Sequence, residues 1–176
     1  MIEVRIVPAE AKKSAAVYGA YKKGEFCVIS GKFSSTQVAS LVNGQANEGE
    51  LELTRSTGGT AQCLKGQVFP IDKLEFAPEH SDSYHDTLAS GDRVIYYTEG
   101  QFQTDCYDST VSGALAYGTP LFVNTTGWLT KTQPTGATGA QGEAIALFVG
   151  FSTVGTGLHF DGTALYGKDL ATYELL

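Results

Sequence analysis

The residues best suited to chemistry cluster in one polar run, Pro78–Ser90 (PEHSDSYHDTLAS). Within it Glu79, His80, Asp82, His85 and Asp86 bring carboxylates and imidazoles close enough to hold a divalent ion or to relay protons. Their spacing fits no ligand signature, and the third histidine, His159, is remote in sequence, so the run reads as a solvated loop. Asp105 and Asp108 flank Tyr107, a spacing common in loops. Nucleophile and phosphate motifs are missing: there is no GxSxG elbow, no P-loop and no dinucleotide fingerprint. Cys27, Cys63 and Cys106 are odd in number and lack any CxxC, which reads as reduced, buried thiols in a cytosolic product and not as zinc ligands. Tyr96, Tyr97, Tyr107 and Trp128 have the shape to stack on sugars, but they sit in alternating segments, where core or interface packing is the better reading. These residues predict no enzyme, no cofactor and no metal.

The totals agree with a binding or structural role. At 176 residues, with 42% hydrophobic residues, the chain can bury one real core. Only 18% of residues are charged and 21 are glycine, which suits a turn-rich β protein with a neutral surface. A net charge of −7 argues against a nucleic-acid partner, because phosphate contacts need clustered Lys or Arg. The pairs Lys12-Lys13 and Lys22-Lys23 read as solvated faces. MIEVRIVPAE has neither a basic nor an apolar signal region, and no apolar run reaches membrane-spanning length, so no secretion signal and no membrane partner are expected.

The elements are organised around Ala144–Phe151, the longest apolar run, read as a central strand covered on both faces. Ile2–Val7 alternates and stops at Pro8, giving an edge strand. Ala9–Ala20 reads either as a short helix after Pro8 or as an ordered arm. Glu25–Ile29 is a strand. Ser34 and Gln37 form a capping box with Phe33 stapled onto Val38, followed by a stripe of Val38, Leu41 and Val42 that Asn43-Gly44 stops. Glu50–Arg55 alternates, and Cys63–Phe69 and Ile71–Phe76 read as strands on either side of Pro70. Asp92–Thr98 and Gln101–Tyr107 read as a hairpin through Glu99-Gly100. Pro120–Asn124 and Trp128–Thr130 give a second hairpin, Thr132–Gly142 a mobile tip, His159–Tyr166 a tight hairpin and Asp169–Leu175 a last strand. The fold class is all-β (mainly β), a β-barrel or β-sandwich with one or two short helices.

Three stretches then form a familiar series: Gly118-Thr119-Pro120-Leu121-Phe122-Val123, Gly127-Trp128-Leu129-Thr130 and Ala146-Leu147-Phe148-Val149-Gly150-Phe151. With Val17–Val28 (VYGAYKKGEFCV), they resemble the head decoration (cement) proteins of tailed bacteriophages over about half of the chain. The resemblance implies an N-terminal arm over residues 1–24 and a single β-rich domain over 25–176. It implies a virion protein, made in the host cytoplasm, that sits on the outer surface of the capsid and cements neighbouring major capsid protein subunits as a homodimer or homotrimer. The expected mode of contact is β-strand addition with aromatic anchors. The expected contact residues are Ile2, Val4, Ile6, Tyr18 and Tyr21 on the arm and His80, Tyr84 and His85 on the polar loop. Two other readings remain open: a phage tail-tube or baseplate β-barrel subunit, and a carbohydrate-binding β-sandwich module using Trp128.

Overall fold

The computed structural model of the chain describes residues 2–41, 46–73, 87–137, 139–153 and 169–176. Its strands are β1 (Ile2–Ile6), β2 (Lys12–Val17), β3 (Tyr21–Lys22), β4 (Phe26–Lys32), β5 (Leu51–Arg55), β6 (Val68–Lys73) and β7 (Thr87–Leu88). There follow β8 (Arg93–Tyr97), β9 (Gln101–Thr104), β10 (Pro120–Val123), β11 (Leu129–Thr130), β12 (Ala146–Thr153) and β13 (Asp169–Leu175). The described helices are a 3-10 turn at Ala9–Ala11 and α1, Ser35–Ser40. The all-β expectation is met, in two main bodies, a closed barrel ordered β2-β5-β4-β6-β8 and a sheet ordered β1-β9-β13-β12-β10-β11, with β3 and β7 paired as a small two-stranded sheet.

The barrel closes on the Ala-rich stretch, where local preference loses to pairing. Alanine favours helix, yet Lys12–Val17 pairs antiparallel with β8 on one side and parallel with β5 on the other. Ala15, Ala16 and Val17 are fully buried, so the seam demands small residues on both faces. The expected helix over Ala9–Ala20 therefore shrinks to the 3-10 turn. Within residues 2–24, β1 belongs to the sheet and β2 to the barrel.

Alternation along the barrel strands sends side chains into two cores. Ala15, Val17, Cys27, Leu53, Phe69, Ile71, Val94 and Tyr96 come from all five strands and make the barrel's own core. Residues one position out of phase, Phe26, Val68 and Tyr97, meet Phe102, Leu121, Phe148 and Tyr173 from the large sheet. Tyr97, Phe102 and Tyr173 pack in series, with ring centroids 4.9 and 5.6 Å apart. Each such ring, fully buried, contributes about 1.5–3 kcal/mol. The sheet is thereby fixed to the barrel wall.

Several local expectations hold. Ser34 Oγ accepts from the Gln37 amide, Gln37 Oε1 accepts from the Ser34 amide, and Phe33 packs with Val38. The helix ends at Ser40, capped by Leu41, before the expected Val42. β10 and β11 form the second hairpin, with Val123 opposite Leu129. Asp169–Leu175 is an interior strand between β12 and β9.

Others differ, and for the β8–β9 pair the reason is that a strand's partner is set by which edges are free. β8 and β9 are not a hairpin, because β8 is held by β2 and β6 while β9 is held by β1 and β13. Glu99-Gly100 is instead a corner between the two bodies. Val68–Lys73 runs as one strand through Pro70, with Cys63–Gln67 outside it as turns. β12 is interior, but of its residues 146–151 only Ala146 and Phe148 are buried, and Leu147 and Val149 stay part-exposed. A register shift between Phe148 and Gly150 leaves Val149 as the extra residue. The tip at 132–142 is tied by Gly136 N–H to Ala140 C=O (2.8 Å) and Gly142 N–H to Pro134 C=O (2.9 Å). The hairpin at His159–Tyr166 lies outside the described residues.

Candidate interaction surface

The strongest polar cluster gathers residues far apart in sequence. Arg55 Nε and an Nη donate to Glu25 Oε2 at 3.0 and 2.8 Å, and Trp128 Nε1 donates to Glu25 Oε1 at 3.2 Å. Arg55 also donates to the Ala20 carbonyl and lies 5.1 Å over the Tyr21 ring. Lys22 Nζ pairs with Asp105 at 2.9 Å and stands 5.8 Å from the Trp128 ring centroid. Glu25 precedes β4, Arg55 ends β5 and Trp128 closes the β10–β11 turn, so the cluster rivets barrel to sheet. Gly127 makes this possible: its φ is +75°, and a Cβ there would press on the Arg55 side chain and the Phe26 carbonyl.

Two further acids, Glu52 and Asp108, are similarly engaged. Glu52 accepts from Ser30 Oγ at 2.6 Å and from Gln37 Nε2, tying α1 to the barrel. Burial raises the Asp108 carboxyl, but donors from Thr110, Thr130 and Asn124 outweigh it and hold the group below its ordinary value. Burial pushes the Cys27 and Cys63 thiols up, and takes Cys106 to about 11. Such thiols stay protonated at neutral pH and are poor nucleophiles. Burial likewise raises Tyr97 and Tyr173, and the Tyr173 hydroxyl has no hydrogen-bond partner among the described residues. Among the described residues, no group of three or more His, Cys, Asp or Glu is placed to hold a metal ion.

The sequence-predicted contact residues disperse. His80, Tyr84 and His85, with Glu79, Asp82, Asp86 and His159, lie outside the described residues. Ile2, Val4 and Ile6 stand on β1, the terminal strand of the large sheet, where Ile2 is opposite Thr104, Val4 opposite Phe102 and Ile6 opposite Gln101. Tyr18 is exposed, beside a groove of about 450 Å³ that Leu41, Ser90 and Asp92 help to line. Tyr21 is buried, and its hydroxyl donates to the Tyr18 carbonyl, so it supports Tyr18 and offers no surface of its own. Among the sugar-stacking candidates, Tyr96 and Tyr97 are core residues, Tyr107 meets Phe151 edge-on at 5.5 Å, and Trp128 is engaged by Glu25 and Lys22.

Sequence reasoning missed Tyr117. It is 77% exposed, against 43% for Ile29 and 39% for Tyr18. Its loop is pinned: Leu115 packs on the shared core, Gly118 N–H donates to the Phe148 carbonyl at 2.8 Å, and Thr119 N–H and Oγ1 both donate to the Ala116 carbonyl. Gly118, at φ +80°, supplies the reversal just after the ring. The available signal was an aromatic directly before a glycine in a polar loop. Comparison of the chain with protein-family models, with curated proteins and with solved structures returns no match.

Proposed function

We propose that the chain is a structural virion protein that binds the outside of a bacteriophage head and cements neighbouring major capsid protein subunits. The observation that carries this reading is Tyr117, a large aromatic side chain 77% exposed on a loop tied down by backbone hydrogen bonds. A pre-ordered aromatic loses little entropy on docking and is the usual anchor of a contact. Tyr18 and the strand edge at β1 supplement it. The half-buried ion pairs brace the scaffold and leave its surface to recognition.

The mechanism is linkage. Each copy binds only the assembled lattice, so occupancy adds to the shell's stability by mass action. Co-sedimentation of the purified chain with undecorated heads tests the reading, and saturable binding is expected. Tyr117→Ala should weaken that binding by about tenfold or more, while Tyr117→Phe keeps most of it. Wild-type chain left wholly in the supernatant would overturn the proposal.

A further inference from the structure

We infer that a groove at the end of the β4–β6 pairing is a binding site for an uncharged oligosaccharide. The pairing itself opens the groove. β4 is matched to β5 from Cys27 to Lys32 but to β6 only over Phe26–Val28, so Ile29 and Ser30 have β5 on one side and no described strand on the other. Residues of the turns before β6 line the space left there, which measures about 500 Å³. Small-ligand sites usually fall between roughly 300 and 1,000 Å³.

The lining selects the class of ligand. No described residue that lines the groove is charged, in a chain whose net charge is −7. An ion entering it would give up water and meet no countercharge. Glu52, which accepts from Ser30 Oγ, is already committed to that bond and to Gln37. Apolar surface comes from Val28, Ile29 and Phe69, with Ile29 43% exposed, while Ser30, Thr54, Gln62 and Gln67 add hydroxyls and amides. Hydroxyls and amides both donate and accept, as sugar hydroxyls do, and the apolar residues suit the C–H face of a sugar ring.

One of these groups is held ready. Gln62 N–H donates to the Gly59 carbonyl at 2.9 Å, and its own carbonyl accepts from Ser56 Oγ at 2.8 Å. Its side-chain Oε1 accepts from the Thr57 amide and hydroxyl at 2.8 and 3.0 Å. Backbone and side chain are thus fixed, and Nε2 remains as an oriented donor with no partner among the described residues. A donor fixed beforehand loses little entropy when a ligand arrives. An extended peptide fits this edge less well, because the register shift between Ile29 and Gly31 interrupts the row of backbone groups an added strand would need. The site is also distinct from Trp128, whose Nε1 is held by Glu25. The inference does not depend on head binding.

Calorimetric titration of the full chain with maltohexaose, cellohexaose, mannohexaose and chitohexaose, each to about 10 mM, tests it. At least one should bind saturably, with a Kd of about 1 mM or tighter. Gln62→Glu keeps an acceptor for Thr57 but loses the Nε2 donor, and Ile29→Asp places a charge in the groove. Each should weaken binding by about tenfold or more, with circular dichroism confirming an unchanged β fold. Trp128→Phe should bind like the wild type. A wild type that binds none of the four sugars would overturn the inference. So would folded Gln62 and Ile29 variants that bind unchanged, a loss confined to Trp128→Phe, a sulfated heparin hexasaccharide that binds as tightly as the best neutral sugar, or binding of a Ser/Thr/Val octapeptide in place of any sugar.

Discussion

Glu25 is a side chain only 6% exposed that satisfies two donors from Arg55 and one from Trp128. Replacing it with Gln keeps the shape but leaves the guanidinium without its counter-charge. Because the Arg55 side chain is 38% exposed, water recovers part of the loss. Glu25→Gln should therefore cost about 1–3 kcal/mol, below the figure for a wholly buried pair, as read from urea unfolding. None of this was legible in the sequence, since positions 25, 55 and 128 share no pattern. Tyr117 escaped for a related reason: one exposed aromatic in a loop has no periodicity.

The thiols make a pH prediction. Burial raises Cys106 from the ordinary 9.0 to about 11, so the folded state keeps a proton that the unfolded chain gives up first. That contribution to stability is whole below the ordinary thiol value and is lost as pH rises through the folded value. Cys27 and Cys63 act in the same direction. The urea midpoint should fall between roughly pH 9 and 11, and fall less steeply in Cys106→Ala. All three thiols should react with an aromatic disulfide reagent only after unfolding.

At the scale of elements, what depends on neighbouring residues could be read and what depends on distant partners could not. The capping box at Ser34 and Gln37 and the β10–β11 turn are short-range, and both form as their residues imply. β8 and β9 each alternate as a strand should, but alternation does not say that their edges are already taken by β2, β6, β1 and β13. The closing seam at Ala15–Val17 looks like helix because the β5 and β8 strands that claim it lie tens of residues away. Gly58 locks the loop after β5 against the β10–β11 turn: its φ is +64°, and an added Cβ would run into the backbone of Asn124 and Thr125. Backbone cannot yield as a flexible side chain can. Gly58→Ala should cost more than the roughly 1 kcal/mol of an ordinary positive-φ substitution, and calorimetry should show a clear drop in Tm.

At the scale of the whole molecule, the barrel and the large sheet share Phe26, Val68, Tyr97, Phe102 and Tyr173 in one core. A shared core couples their unfolding. Calorimetry should accordingly give one transition whose van't Hoff and calorimetric enthalpies agree; two separated peaks would mean two independent bodies. That coupling would suit the proposed role, in which the protein holds its shape on a shell. The all-β class could be read from composition and alternation, but not the division into a closed barrel and a sheet packed on its wall.

Electron microscopy of undecorated phage heads mixed with the purified chain tests the central claim most directly. The account predicts discrete extra density at regular lattice positions, with heads that survive heating or chelation better than bare ones. Bare heads beside free protein would contradict it, and rings or tubes formed by the chain without any head would point to the tail-tube reading instead.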